Sequence, residues 1–193
     1  MSDYKQAIAQ LINEHGKERK VGLHCLMDSD LGQRFIDSPA SSKTGFHCAY
    51  EQGLPEHSIR VFNNLFAQNT IAGNPYDSET ILICGLFHDL GKAGNRHQRM
   101  YMQNITKSGE PHKSQPYKIN RSYPQLSHEM RSVMLLSHYI ELTDEEAQAI
   151  SYHAWLYGDI GTRSIRNWDV EQLSFMTHVA DIYATFQEKD SNK

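Results

Sequence analysis

The sequence predicts an all-α fold with one fully buried helix at its centre. Apolar residues recur at helical spacing along most of the chain, and no segment shows a convincing strand pattern. The stretch from Ile81 to Phe87 is apolar on every side, which is typical of a helix surrounded by protein. The chain has 193 residues, 39% hydrophobic and 22% charged, the balance of an ordinary globular protein that can bury a core.

Four helices are expected before the buried one, over about residues 3–14, 20–27, 31–36 and 56–68. Ser2 can cap the first of them and Gly16 can end it. The turn-forming residues 39–45 separate the third from the fourth, which carries His57 on its apolar face.

The buried helix and the helices after it have clear end signals. Ser78 is predicted to cap the buried helix, which runs to Leu90 and ends at Gly91. Residues 93–123 are polar with little periodicity and are predicted to form a long loop that is functional or partly disordered. Further helices are expected over about residues 124–141, 143–156 and 169–187, the second opened by a capping box of Thr143 and Glu146 and the last capped by Asp169.

Charge, hydropathy and cysteine content argue against several classes of function. A net charge of −4 argues against general coating of nucleic acid, and no apolar run approaches the roughly 18–20 residues that span a bilayer. The N-terminus lacks a signal-peptide pattern, and the cysteines (Cys25, Cys48 and Cys84) show no CxxC spacing. We therefore expect a cytoplasmic protein with reduced thiols, no membrane partner and no stable nucleic-acid complex. A homo-oligomer is compatible with the sequence.

Basic residues are concentrated in one stretch. Between Lys92 and Arg121 there are seven basic residues and one acid, Glu110. This composition suits an anionic substrate, although a solvated loop with incidental charge would have the same composition.

Six side chains have the chemistry of metal ligands and, apart from one adjacent pair, come from different predicted helices. They are His57, His88, Asp89, His128, His153 and Asp181. Imidazole and carboxylate groups suit Zn, Mn, Fe, Co or Ni at a catalytic site. Each residue alone also has a plainer interpretation, because His153 could stack on Tyr152 and Asp181 could pair with His178 one turn earlier.

His88 and Asp89 are adjacent, which on a helix would set their side chains about 100° apart. Near a helix end both can lean onto one ion, and Gly91 is predicted to place that end directly afterwards. A metal ion would also offset the cost of burying the Asp89 carboxylate beside an apolar helix.

These residues stand in motifs that resemble the HD-domain superfamily of metal-dependent phosphohydrolases. The run Phe87-His88-Asp89-Leu90-Gly91-Lys92 looks like the HDxGK signature of that superfamily. His57 follows Gly53-Leu54 in the usual setting of the upstream histidine, and Val179-Ala180-Asp181-Ile182-Tyr183 is similar to the segment of the closing aspartate.

His128 and His153 match the two additional histidines of members that bind two metals. The resemblance implies a single HD domain over residues 1–193, a helical bundle whose buried central helix carries His88 and Asp89. Residues 1–36 would be an N-terminal helical extension packed on a core of residues 37–187.

The resemblance implies metal-assisted hydrolysis of a phosphate ester in a nucleotide or a similar phosphorylated small molecule. One divalent transition-metal ion is expected on His57, His88, Asp89 and Asp181, and a second on His128 and His153, with Asp89 bridging the two. Lys92 and Asp89 are the expected catalytic residues. Lys92 would neutralise charge on the phosphate, although a lysine here is also favoured by a helix C-terminus. Further candidates for substrate contact are Arg96, Arg121 and His47.

A narrower likeness is to small bacterial and phage HD hydrolases. The run Pro39-Ala40-Ser41 followed by His47 and Tyr50 is similar to a segment of these proteins. Tyr123-Pro124 before Ser127-His128-Glu129 is similar to another, except that one residue is missing between His128 and Glu129, which leaves the role of Glu129 open.

Two other functions remain open. HD-fold mixed-valent di-iron oxygenases use the same six ligands, so ligand identity cannot separate them from hydrolases. A non-catalytic nucleotide-binding module would share the fold, but it predicts an incomplete ligand set, and here the set is complete.

Overall fold

Helices make up most of the structure. A computed structural model describes residues 3–122, 124–154 and 170–190 of the chain. Within these ranges the elements are, in order, α1 (Asp3–His15), α2 (Lys20–Asp28), α3 (Asp30–Asp37), α4 (Gly53–Ile71), α5 (Ser78–Phe87), a 3-10 turn (Leu90–Ala93), β1 (Tyr101–Gln103), β2 (Tyr117–Ile119), α6 (His128–Leu136), α7 (Asp144–Tyr152) and α8 (Gln172–Asp190). The predicted all-α fold class is confirmed.

The helix α5 lies at the centre of the fold, as predicted. Residues 81–87 are all buried, and α1, α4, α7 and α8 pack around them. Because α5 is apolar on every side, no face of it can be exposed to water without loss of hydrophobic stabilisation. One core cluster runs from Ile8 of α1 to Ala184 of α8. None of the helices in the described part of the chain combines the length and hydropathy that crossing a membrane requires.

The two ends of α5 differ from the prediction. Asp77, and not Ser78, is the N-cap, and its Oδ1 accepts a hydrogen bond from the Thr80 amide at 2.9 Å. Ser78 instead donates its hydroxyl to the His15 carbonyl at 3.2 Å. At the other end α5 stops at Phe87, and the 3-10 turn replaces the last helical turn that the sequence predicts.

Other helix boundaries also move. The helix α4 begins at Gly53, three residues early, because Pro55 fits the first turn, where its missing amide hydrogen is not needed. The helix α6 occupies only His128–Leu136 of the predicted 124–141, and Ser127 caps it. The capping box that opens α7 is present as predicted. The predicted caps Ser2 and Asp169 lie outside the described residues.

The prediction of no strands was wrong for one short hairpin. Strands β1 and β2 pair antiparallel, with Met102 opposite Lys118. A strand of three residues is too short for apolar alternation to show, and its pairing depends on a residue many positions away. The hairpin rests on the loop before α4, where the Thr44 amide donates to the Ser114 carbonyl at 3.2 Å.

Candidate metal centre

The six predicted ligands meet at one point inside the bundle, and most of them lie at helix ends. They are His57 in the second turn of α4, His88 and Asp89 directly after α5, His128 at the start of α6, His153 directly after α7, and Asp181 within α8. The side chains of His57, His88, Asp89 and His153 are at most 1% exposed. Those of Asp181 and His128 are 19% and 24% exposed, so solvent reaches the centre at these two residues.

Asp89 occupies the middle of the cluster. Its Oδ1 atom lies 3.2 Å from His128 Nε2 and 3.4 Å from His153 Nε2. Its Oδ2 atom lies 3.4 Å from His88 Nε2 and 3.7 Å from His57 Nε2. Each oxygen of one carboxylate therefore faces a different pair of imidazole rings.

Asp181 completes the cluster on the side of α4. Its Oδ1 atom lies 3.0 Å from His57 Nε2 and 4.0 Å from His88 Nε2. Among the residues that the structure describes, two sets of three have ligand atoms that all lie within 4.8 Å of one another: His57, His88 and Asp181, and His88, Asp89 and His153. His128 joins the second set through Asp89.

In three of the histidines, Nδ1, the ring nitrogen directed away from the centre, makes a hydrogen bond. The Nδ1 atoms of His88 and His153 lie 2.8 and 2.7 Å from the carbonyl oxygens of Gly85 and Ile150. His57 Nδ1 lies 3.0 Å from Glu188 Oε1. Because carbonyl and carboxylate oxygens can only accept, Nδ1 of each ring donates, and this leaves Nε2 of each ring for the centre.

This arrangement fits a divalent metal. The Nε2 atom of His88 and the Oδ1 atom of Asp89 are buried and have no hydrogen-bond partner among the described residues. Imidazole lone pairs and carboxylate oxygens that face one another in a buried site repel, and a cation among them removes that cost. The donor set, nitrogen and carboxylate oxygen, is that of a catalytic transition-metal site.

Lys92 adds a fixed positive charge at the edge of the centre. Its Nζ atom lies 2.6 Å from Asp89 Oδ2. Burial alone would lower the pKa of Lys92, but the Asp89 carboxylate outweighs burial and raises it. Burial alone would likewise raise the pKa of Asp89, but the charge of Lys92 and the electrostatic interaction with His88 hold that pKa well below its usual range. Both groups therefore stay charged at neutral pH.

Gly91 explains why α5 ends early. The 3-10 turn brings Gly91 against the start of α6, so close that a Cβ atom would overlap the His128 carbonyl oxygen. The Gly91 amide donates to Ser132 Oγ at 2.8 Å, and that hydroxyl donates to the His128 carbonyl at 2.9 Å. The turn therefore holds Asp89 and His128 at a fixed separation, and the end of the helix frees His88 and Asp89 to face one centre.

We expect Gly91→Ala to separate the turn from α6. Overpacking of this kind costs about 1–3 kcal/mol of unfolding free energy, and the shift should also weaken metal binding through His128. Urea denaturation and a metal titration measure the two effects. Gly45→Ala is the matched control, because no atom lies within 4 Å of a Cβ there. Equal stability and equal metal affinity in both variants would show that this contact is unimportant.

The predicted substrate contacts are placed differently from one another. His47 stacks on His57 with ring centroids 4.5 Å apart, and burial together with the nearby positive charges of His57 and Lys92 lowers its pKa to about 2. His47 is therefore a neutral ring beside the centre. Arg96 and Arg121 are exposed, and among the described residues neither side chain contacts the six ligands. Glu129 lies beside the centre, with Oε1 3.4 Å from His128 Nε2.

Comparison with known families agrees with this geometry. The family model of the HD domain matches residues 55–155, just over half of the chain. The chain belongs to the HD-domain family. The match includes five of the six converging side chains of this HD-domain protein, and Asp181 lies beyond it. HD domains bind divalent metals, and most are metal-dependent hydrolases, which is compatible with the buried cluster. No curated protein and no solved structure shows significant similarity to the chain.

Glu188 also contributes to the centre of this HD-domain protein, although none of the sequence motifs predicted it. Its carboxylate is 1% exposed and accepts the hydrogen bond from His57 Nδ1. Burial alone would lower the pKa of His57, but the nearby carboxylates of Asp181 and Glu188 raise that pKa to about 9. Glu188 follows Asp181 by seven residues, two turns along the same face of α8, and this spacing was the available signal.

Replacement of Glu188 by glutamine is expected to lower metal affinity by about 10-fold or more. Carboxylates that orient a metal-binding histidine typically contribute 10- to 100-fold in affinity, and an amide oxygen is a weaker acceptor. Competition with a chelating dye measures the change. Glu171→Gln, at an exposed position before α8, is the control. Unchanged affinity in Glu188→Gln would mean that His57 needs no orienting carboxylate.

Proposed function

We propose that this protein is a di-metal phosphohydrolase that cleaves a phosphate ester of a nucleotide or a similar small phosphorylated molecule. The observation that carries this proposal is the position of Asp89, whose two oxygens face two separate pairs of histidines. A carboxylate placed in this way is suited to bridge two ions. Complete sets of donors on both sides of it favour a catalytic centre over a non-catalytic binding module.

His57, His88 and Asp181 would hold one ion, His128 and His153 would hold the other, and Asp89 would contact both. Such ions supply Lewis-acid activation of water and of the phosphoryl group at neutral pH. The chain's own residues orient the site. Glu188 and the carbonyls of Gly85 and Ile150 fix the imidazole rings of His57, His88 and His153, so that Nε2 of each of these rings stays directed inward.

Lys92 is the chain's own group for the phosphate. It remains protonated because Asp89 stabilises its charge, and it is 12% exposed, so it can be reached from the side of the substrate. An ammonium held in a buried site interacts more strongly with developing negative charge than one in water. His47, neutral and stacked on His57, lies beside the centre without adding a competing charge.

The decisive experiment is a substrate screen with defined metals. The protein is stripped with a chelator, reloaded separately with Mn, Co, Ni, Fe or Zn, and assayed on nucleoside mono-, tri- and cyclic phosphates. We expect metal-dependent release of phosphate or of a monoester. His88→Ala should lower this activity by about 1,000-fold or more, whereas the exposed His138→Ala should leave it unchanged.

Two results would overturn the proposal. Activity that survives His88→Ala would mean that the centre is not the site of hydrolysis. Oxygen uptake by the iron-loaded protein, stoichiometric with substrate and without phosphate-ester cleavage, would assign it to the di-iron oxygenases.

A further inference from the structure

A cavity separate from the six-ligand cluster lies between the end of α3 and the β1–β2 hairpin. Its volume is about 200 Å³, and its walls include Asp37, Glu51, Arg99, Tyr101, Gln103 and Tyr117. We refer to it as the hairpin pocket. Whole ligands generally occupy about 300–1,000 Å³, so this cavity suits one part of a small molecule, such as a ring.

Two parts of the pocket wall, the end of α3 and the segment at Ser38, adjoin elements that carry residues of the metal centre. The helix α3, which ends at Asp37, packs on the 3-10 turn that carries Lys92. The carbonyl of Ser38, also in the pocket wall, accepts a hydrogen bond from the Leu54 amide at 2.9 Å, one helical turn before His57. The hydroxyl of Tyr101 is within electrostatic reach of Lys92. The elements that line the pocket therefore also adjoin Lys92 and His57.

Both strands of the hairpin contribute to the pocket wall, which also includes Met102. Tyr101 and Gln103 are two residues apart in β1 and so share a face, and Tyr117 is paired directly opposite Gln103. The frame of the pocket is anchored, because Arg99 donates to Asp37 Oδ2 at 2.8 Å and the buried Asn120 donates to the Arg99 carbonyl at 3.1 Å.

Charge in the hairpin pocket is opposite to that of a phosphate site. Both Asp37 oxygens are engaged, one by Arg99 and the other by Gln33 at 2.9 Å. Glu51 has no hydrogen-bond partner among the described residues, and its charge helps to raise the pKa of the partly buried Tyr117. An unengaged carboxylate beside two phenol rings repels phosphate but accepts hydrogen bonds from amino groups, and aromatic rings stack on nucleobases.

We propose that the hairpin pocket binds the base of a nucleotide substrate, with Tyr101 and Tyr117 against the ring and Glu51 accepting a hydrogen bond from its exocyclic amino group. This inference rests on the proposed function and deepens it, because it specifies the substrate as a nucleoside phosphate with an amino-bearing base: adenine, guanine or cytosine. The base would then bind beside a negatively charged group, Glu51, and the phosphate beside a positively charged group, Lys92.

The test measures nucleoside binding without metal and without turnover. Adenosine, guanosine, cytidine and uridine are titrated into the chelator-treated, full-length protein by ligand-observed NMR. We expect at least one amino-bearing nucleoside to bind, and uridine to bind about 10-fold more weakly. Tyr117→Leu should weaken that binding by about 5- to 100-fold, and Glu51→Ala should abolish the preference over uridine. Glu110→Ala and Lys118→Ala, exposed positions of the same hairpin, should change neither.

The outcomes separate this proposal from the proposed function. If the folded protein binds none of the four nucleosides but hydrolyses phosphate esters, the pocket assignment is wrong and the hydrolase remains. Nucleoside binding that both Tyr117→Leu and Glu51→Ala leave unchanged would also overturn the assignment. If binding follows the expected pattern without any ester cleavage, the pocket assignment stands and the hydrolase proposal fails.

Discussion

Asp89→Asn is expected to lower kcat/KM for the phosphate ester by about 1,000-fold or more and to reduce the number of bound ions. The substitution keeps the size of the side chain but removes its charge and replaces one oxygen by an NH₂ group. Because each oxygen of Asp89 faces its own pair of imidazoles, at 3.2 and 3.4 Å on one side and 3.4 and 3.7 Å on the other, the loss acts on both halves of the centre.

Steady-state kinetics and metal analysis of the purified variant check this expectation. The exposed Asp28→Asn, with the same change of charge, should have wild-type activity and metal content. Circular dichroism should show that Asp89→Asn is folded. A folded Asp89→Asn variant with wild-type metal content and activity would contradict the bridging role.

Arg19→Met is expected to lower the free energy of unfolding by about 3–5 kcal/mol. Arg19 joins two carboxylates from different helices: its Nε lies 2.9 Å from Glu79 Oε2, and its Nη1 lies 2.6 Å from Glu146 Oε2. Glu79 is 4% exposed and Glu146 is fully buried. Removal of the guanidinium leaves two buried carboxylates without their common cation, which is far more costly than loss of a surface pair.

Urea denaturation of the chelator-treated protein measures this effect apart from metal binding. The control is Arg60→Met, which breaks the partly exposed pair of Arg60 and Glu56 on α4 and should cost at most about 1 kcal/mol. Comparable losses of unfolding free energy in the two variants would mean that the buried network contributes no more to stability than the partly exposed pair.

The difference in free energy of unfolding between Arg19→Met and the wild type should become smaller at acidic pH. Arg19 and the nearby amides hold the pKa of Glu79 below its usual value, although burial alone would raise it. A carboxyl whose pKa is lower in the folded state contributes stability above its unfolded pKa, about 4.3, and loses it as the pH falls through the folded value. In the variant, protonation instead removes an unpaired charge. Unfolding curves at pH 7 and near pH 4 compare the two proteins.

The sequence was most informative where the signal is local. Helical periodicity predicted the class of the fold and the buried position of α5, because a helix that is apolar on every side has no face for water. The prediction failed at the end of α5, since Gly91 was interpreted as the residue that stops the helix. In the structure it is the residue that allows the turn to touch α6, and that contact depends on His128, far along the chain.

The hairpin is a second feature that depends on contacts between distant residues and that the sequence therefore did not predict. Each of its strands has three residues, and neither has an alternation that a sequence can reveal. Tyr101, Gln103 and Tyr117 acquire a common face only through pairing across the intervening loop. The sequence therefore predicted a functional or partly disordered loop over residues 93–123 without predicting which of its side chains form a pocket.

The sequence by itself determined the identities and the order of the six candidate ligands, because imidazole and carboxylate chemistry belongs to the residue and not to its neighbours. The tertiary structure decided that all six meet, which oxygen of Asp89 faces which histidines, and that Glu188 orients His57. The physical reason is that these relations are set by packing between α4, α5, α6, α7 and α8, whose contacting residues are distant in the chain.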